Sequence, residues 1–226
     1  MLKLKFKKFI ENDEFKWFVC AIPFLLLIIF PLVNQVSDNN FETSFRHALF
    51  QIMSIITGTG YSTADFTTWG AFATFIFFLL MFSGASAGST TGGVKIVRIG
   101  LLIKNTVLEF KRRLHPNAII PVQLNGNGVS PKIIYNLLAF VFFYLFVFVS
   151  GSIVLTFIGL DFQNAVGASA TAISNVGPGI GSVGPSSSFA HLPDAAKWVL
   201  SFLMILGRLE LFTIAILFTP YFWRRN

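Results

Sequence analysis

Residues 45–63 read FRHALFQIMSIITGTGYST. The first part of that stretch, 45–57, is helical by pattern but only 13 residues long, whereas crossing a ~30 Å hydrocarbon layer takes ~20 residues. An apolar helix of this length that stops at a glycine-rich turn suits a re-entrant segment. The turn, Thr57, Gly58, Thr59, Gly60 and Tyr61, carries carbonyls that no helix consumes. An ordinary turn capping a hydrophobic helix would read the same way, and the rest of the chain separates the two.

An offset of 117 residues carries Phe45 onto Phe162, Ala48 onto Ala165, Ile56 onto Ile173 and Gly60 onto Gly177 without a gap. ITGTGY (56–61) falls on ISNVGP (173–178), and DFQNAVGASATAIS (161–174) forms a second short segment ahead of it. Apolar runs flank both: 17–33 and 69–83 in the first half, 133–159 and 198–222 in the second. Each half therefore reads as helix, short re-entrant helix, glycine turn, helix, which is a tandem repeat.

Composition agrees with a lipid-facing protein. The chain is 54% hydrophobic, with 28 Phe, and only 12% charged, about half the charge of a typical soluble domain. Its net charge of +7 is unevenly placed. Lys3, Lys5, Lys7, Lys8 and Lys16 precede the first run; Lys95, Arg98, Lys104, Lys111, Arg112, Arg113 and Lys132 lie between the halves; Arg224 and Arg225 follow the last run. The positive-inside rule puts these three segments in the cytoplasm, so the charge reports topology and argues against nucleic acid. The expected organisation is a basic segment 1–16, a pore repeat 17–94, a basic cytoplasmic helix and linker 95–130, and a second repeat 131–226. The first run is read as a retained helix, since Glu11, Asp13 and Glu14 interrupt any signal-peptide pattern and no A-x-A-like site follows.

Non-helical backbone at membrane depth is tolerated where protein buries it or where it lines a wet cavity. Carbonyls of Thr57, Gly58, Thr59, Gly60 and Tyr61, with those of Ser174, Asn175, Val176, Gly177 and Pro178, can replace the hydration shell of a cation. The short helices 45–57 and 161–174 aim their partly negative C-terminal ends at that point. Glycine suits a backbone whose angles disfavour a Cβ.

These motifs resemble the Trk/Ktr/HKT superfamily of cation transporters. FRHALFQIMSIITGTGYST (45–63) resembles the third pore loop of that family and ATAISNVGPGIG (170–181) the fourth. GASAGSTTGGVKIVR (84–98) resembles the stretch after the third filter, and LGRLELFT (206–213) the last helix. The resemblance covers roughly residues 15–226 and implies an all-α membrane protein holding two of four pore repeats, with filters at 57–61 and 174–179. It implies potassium uptake in a bacterial inner membrane, with K⁺ as the transported ion and no bound cofactor. It also implies a dimer of complete pores and a cytoplasmic ring of nucleotide-binding regulatory subunits. Gly60 and Gly177 favour K⁺ over Na⁺, although serine in the first repeat marks some Na⁺-preferring relatives.

By the same resemblance, Gly84, Ala85, Ser86, Ala87, Gly88, Ser89, Thr90, Thr91, Gly92 and Gly93 form an intramembrane loop that blocks the pore and moves on opening. A flexible linker is the plainer reading of so many small residues, and the missing GK[ST] excludes a phosphate loop. Arg208 and Glu210 fall inside the last apolar run, where ions are costly and usually face a cavity. A structural pair is the plain reading; the resemblance makes Arg208 a gate that repels cations and leaves Glu210 as support. Asp38, Glu42, Asp65 and Asp161 lie on the outer side, as solvated charges or as attractors of cations. Residues 104–113 suit anionic lipid or a regulatory subunit. His47, His115 and His191 are scattered, Cys20 is a lone packing residue, and no nucleophile–base constellation points to an enzyme.

Two loops alone leave half a carbonyl ring empty. The chain then needs a separate N-terminal half or a second copy of itself, unless it is a nonfunctional fragment. A small-solute secondary transporter with broken helices and a non-transporting anchor are the rivals. The first often has inverted repeats, unlike these parallel halves, and the second leaves the aligned segments unexplained.

Overall fold

The computed structural model describes residues 11–37, 40–89, 91–118, 120–209, 211–217 and 219–223. The basic residues before position 11, Asp38, Thr90, Glu210, Arg224 and Arg225 lie outside the described residues.

Helix α1 (Asp13–Val36) starts where Asn12 accepts a hydrogen bond from the Glu14 amide and two acids occupy the first turn, which suits the positive end of a helix. Its 24 residues extend about 36 Å, enough to cross a bilayer. Helix α2 (Phe41–Thr57) begins four residues before the expected 45, because Asn40 caps it through the Thr43 amide. It folds back on α1, where Ser44 Oγ lies 3.2 Å from Asn34 Oδ1 and the Phe30 and Phe41 rings meet edge to face. Leu25, Ile29 and Val33 of α1 face Ala48, Ile52 and Ile55 of α2, and Ala73, Phe77 and Met81 of α3 (Ala71–Met81) close the cluster. The four-residue spacing on α1 and α3 is one stripe of a helix.

The second half repeats the plan. Helix α5 (Pro131–Ile158) begins with proline in its first turn and stops at Gly159. Helix α6 (Phe162–Ser174) returns into the protein, with Gly167 to Ser174 wholly buried; small side chains let its neighbours approach closely. Helix α7 (Asp194–Arg208) packs on it through Ala196, Leu200, Leu203 and Leu206. The halves interlock: Val176 of the second turn joins the core of the first half, and Val94 joins that of the second.

Both returning runs are broken rather than straight. In the first half α3 has only 11 residues. Strands β1 (Ser83–Gly84) and β2 (Val94–Lys95) then pair in parallel, Ser83 with Val94 and Gly84 with Lys95, and close a loop before helix α4 (Ile96–Leu114). The first turns of α4 pack beside α1, with Gly100 against the Trp17 ring. In the second half, α8 (Leu211–Leu217) leaves α7 at 111° and α9 (Pro220–Trp223) follows. In the first half the break falls at a glycine-rich run, whose backbone loses more freedom in a helix than any other residue's, and in the second at Arg208, a charge that lipid does not solvate. By length and apolarity α1 and α5 can each cross a membrane, and the bent α7–α8 pair can form a third span.

At the end opposite the glycine turns, strands β3 (Gln123–Leu124) and β4 (Asn127–Gly128) form a hairpin. Asn125 and Gly126, both at positive φ, make its two-residue turn, as such hairpins require. Asn125 exchanges two hydrogen bonds with Asp13, and Lys104 Nζ sits 2.8 Å from Asp13 Oδ2, tying the start of α1 to α4.

Candidate ion-pathway site

The two glycine turns have the same internal construction. Gly58 at φ +67° ends α2, and its counterpart Asn175 at φ +56° ends α6. The Thr59 amide donates to the Ser54 carbonyl at 2.9 Å, and the Val176 amide donates to the Thr171 carbonyl at 3.2 Å. Ser54 and Thr171 also hold their turns with hydroxyls: Ser54 Oγ donates to the Tyr61 carbonyl at 2.6 Å, and Thr171 Oγ1 accepts from the Gly177 amide at 2.9 Å. The 117-residue offset that carries Phe45 onto Phe162 thus persists in the hydrogen bonding.

The turns meet each other. A Cβ on Gly60 (φ +78°) would stand 1.9 Å from the Val176 carbonyl oxygen, and one on Gly177 (φ +111°) would stand 3.8 Å from Gly60 Cα. Among the described residues, no hydrogen bond is donated to the carbonyls of Thr57, Gly58, Thr59 or Gly60, nor to those of Ser174, Asn175, Val176 or Gly177. Thr59, Tyr61 and Gly177 are exposed, whereas Ser174, Val176 and Pro178 are buried. Such a paired array of oxygens at the mouth of two helix C-termini attracts a cation.

Loop 85–93 lies against both turns. A Cβ on Gly58 would be 2.7 Å from Thr91 Cγ2, and one on Gly92 would be 2.7 Å from the Ser174 carbonyl oxygen. Gly84, Ala85, Gly92 and Gly93 are buried while Ser86, Ala87 and Gly88 are exposed. The loop is held within itself by Ser89 Oγ, 3.1 Å from Thr91 Oγ1, and at its far end by the Ala87 amide, which donates to Glu14 of α1. A further tie is Lys95, a buried residue whose Nζ donates to the Ser89 carbonyl.

Next to the loop is a cavity of 350 Å³ lined by Ser89, Thr91, Lys95, Arg98, Tyr144 and Arg208 among others. Arg208, the last residue of α7, follows Gly207, whose Cβ would stand 1.8 Å from the Ile173 carbonyl oxygen. That close approach of α7 to α6 brings Arg208 to the cavity shared with the loop. Tyr144, 1% exposed, places its hydroxyl 2.7 Å from Ser174 Oγ, and Asn175 Nδ2 donates to the Met204 carbonyl. Both contacts fasten the second turn to its neighbouring helices.

On the other side of the turns the halves are clamped together. Ser186 Oγ donates to Asp65, and Asp65 also accepts from the Thr67 amide at 2.9 Å and hydroxyl at 2.6 Å. Burial pushes the Asp65 carboxyl up, but the donors from Ser186 and Thr67 outweigh it and hold the carboxyl below its usual value. Asp65 is therefore occupied as a clamp, and Glu42 pairs with Arg46 at 3.2 Å, while Asp161 stays exposed at the start of α6.

The structure brings the residues expected from sequence, the two turns, the loop and Arg208, into one neighbourhood, apart from Thr90, which lies outside the described residues. Sequence reasoning missed Lys95, Tyr144, Asn175 Nδ2, and the pair Ser54 and Thr171. The last pair carried a signal, since the 117-residue offset superposes two hydroxyls. Lys95 and Tyr144 carried none that distinguished them from topology charges and lipid-facing aromatics.

Comparison with known proteins gives a consistent result. A family model described as TrkH, a cation transport protein, matches residues 9–225. The Trk system potassium uptake protein TrkI of Halomonas elongata is 39% identical over 204 residues, covering 89% of this chain and 42% of the relative. TrkH of Escherichia coli K12 is 34% identical over 221 residues, covering 96% of this chain and 45% of the relative. Among solved structures, the crystal structure of the potassium transporter TrkH from Vibrio parahaemolyticus superposes with a TM-score of 0.89 at 37% identity, over 96% of this chain and 46% of that one. The chain spans about half the length of the curated relatives it matches.

Proposed function

The chain belongs to the TrkH family of cation transport proteins, and we propose that it supplies two pore repeats of a Trk-type potassium uptake path. The observation that carries this reading is the contact between Gly60 and Val176. Two turns of equal construction present, beside each other, carbonyl oxygens that accept no hydrogen bond among the described residues, at the ends of two short helices that descend from one side.

K⁺ sheds water against the carbonyls of residues 57–60 and 174–177, while the Tyr61 carbonyl, expected in the same set, is held by Ser54 Oγ. A carbonyl array serves this ion because oxygen dipoles replace its hydration without a fixed negative charge that would trap it. Loop 85–93 then closes the path beyond the turns, through Thr91 against Gly58 and Gly92 against Ser174. Arg208, with Lys95, places positive charge on the cavity beside that loop, where it opposes a second cation. Opening requires the loop to leave both turns, and its small side chains let it move with little steric resistance.

Two turns make half of a ring, so a complementary part completes the pore, either a separate N-terminal half or a second copy. Complete pores pair in a bacterial inner membrane with the chain's ends in the cytoplasm. Regulation by nucleotide belongs to a cytoplasmic ring of separate subunits. The role is transport, with no chemical step assigned to any side chain. Expression of Gly60→Ser in a potassium-uptake-deficient strain tests the reading. Growth on limiting K⁺ should fail or become sensitive to Na⁺, and wild-type growth and selectivity would remove the filter role. Arg208→Ala should raise rubidium leak through the assembled pore; unchanged flux would remove its gating role.

A further inference from the structure

Helix α4 carries a second recognition surface, away from the turns. Ile103, Val107, Phe110 and Leu114 are 60%, 53%, 67% and 76% exposed. At 100° per residue they share one face. Which face is open is fixed by the protein itself. Leu101 is buried with Val122 and Ile134 on the opposite side, and Arg112 donates to the Ile120 carbonyl at 2.8 Å and to Asn105 at 3.0 Å. Beside the open stripe, in the last turn, stand Lys111 and Arg113, both exposed, with Glu109 3.8 Å from Arg113 as the acidic neighbour.

Depth follows from the contacts. Ile103 and Val107 border an apolar groove of 430 Å³ shared with Leu79, Val141 and Leu145, well along α3 and α5. Arg112 instead shares a cavity with Pro131 and Ile134, at the start of α5. The stripe therefore begins beside the apolar parts of α3 and α5, passes Lys104 at the level of the start of α1, and ends in a basic turn at the level where α5 begins.

We propose that this face of α4 binds an anionic phospholipid of the inner leaflet. Its acyl chains lie on Ile103, Val107, Phe110 and Leu114, and its phosphate meets Lys111 and Arg113. Charge complementarity selects this occupant: an apolar stripe ending in a basic turn on the positive side of the chain matches a lipid whose headgroup is negative. The inference rests on the chain's being embedded in a membrane and is independent of the ion path.

Native mass spectrometry of the purified full chain tests it, from micelles containing equimolar phosphatidylglycerol and phosphatidylcholine with the same acyl chains. The chain should retain phosphatidylglycerol over phosphatidylcholine by about fivefold or more, as expected for basic residues near a headgroup. The double substitution Lys111→Gln and Arg113→Gln should bring the ratio near unity, while Lys111→Arg with Arg113→Lys should preserve it. Equal retention of both lipids by the unsubstituted chain would overturn the proposal, and so would an unchanged ratio in the glutamine variant. Efficient disulfide cross-linking of two Leu114→Cys chains in phosphatidylcholine bilayers would also overturn it, by assigning the stripe to a second copy.

Discussion

Gly60 and Val176, 116 positions apart, touch: any Cβ on the glycine would stand 1.9 Å from the valine's carbonyl oxygen. The contact joins the turn of one half to the turn of the other, so the geometry of each depends on the other. An alanine at 60 faces both a positive φ and immovable backbone, whereas one at 177 faces a positive φ with nothing nearer than 3.8 Å.

Gly60→Ala should therefore destabilise the protein more than Gly177→Ala. The dihedral strain common to both is about 1–3 kcal/mol, and the clash at 60 adds to it by forcing the turns apart. Thermal unfolding of the purified chain in detergent should give the larger drop for Gly60→Ala. Equal drops would mean that the turns separate in solution.

Lys95 is one tie of loop 85–93, through the Ser89 carbonyl. Lys95→Met keeps the apolar stem and removes the donor. Amide hydrogen exchange across 85–93 should accelerate several-fold, while exchange in α2 and α6 stays unchanged. If the loop amides exchange at the wild-type rate, the strand pair β1–β2 and the loop's contacts through Ala87, Ser89 and Thr91 hold it without Lys95.

Much of this architecture was legible in sequence because it rests on chain-local signals. The 13 residues of 45–57 are too few to span, the glycines recur at one offset, and the basic residues cluster on one side. What escaped depends on distant partners. Residues 69–83 read as one continuous returning helix, but the small residues that follow allow strand pairing between Ser83 and Val94, and helix resumes only at Ile96. The run 198–222 likewise hides a turn at Arg208, because apolarity is blind to where a helix changes direction. Tyr144 reads as one aromatic among many until α6 brings Ser174 to its hydroxyl.

Asp65 gives the protein a pH-sensitive clamp. Its carboxyl sits below the usual value of 3.8 in the folded state, so the ionised form is preferentially stabilised by folding. That stability is complete above the unfolded-state value and is lost as pH falls through the lower folded-state value. Melting temperature measured from pH 6 downward should fall less steeply below pH ~4 in Asp65→Asn than in the unsubstituted protein. Parallel profiles would show that the Ser186 and Thr67 contacts do not couple to folding.

Tyr144 and Ser174 form a buried hydroxyl pair at 2.7 Å, and Ser174 ends the helix that leads into the second turn. Removing one partner leaves the other's buried polar group without its bond, at about 1–3 kcal/mol. Removing both removes that penalty along with the bond. Tyr144→Phe and Ser174→Ala should each destabilise the protein, and the double variant should be less destabilised than the sum of the two. A cycle of thermal unfolding measurements supplies the coupling energy. Strict additivity would mean that each hydroxyl finds another partner when its neighbour is removed, and that α5 does not fix the second turn through this bond.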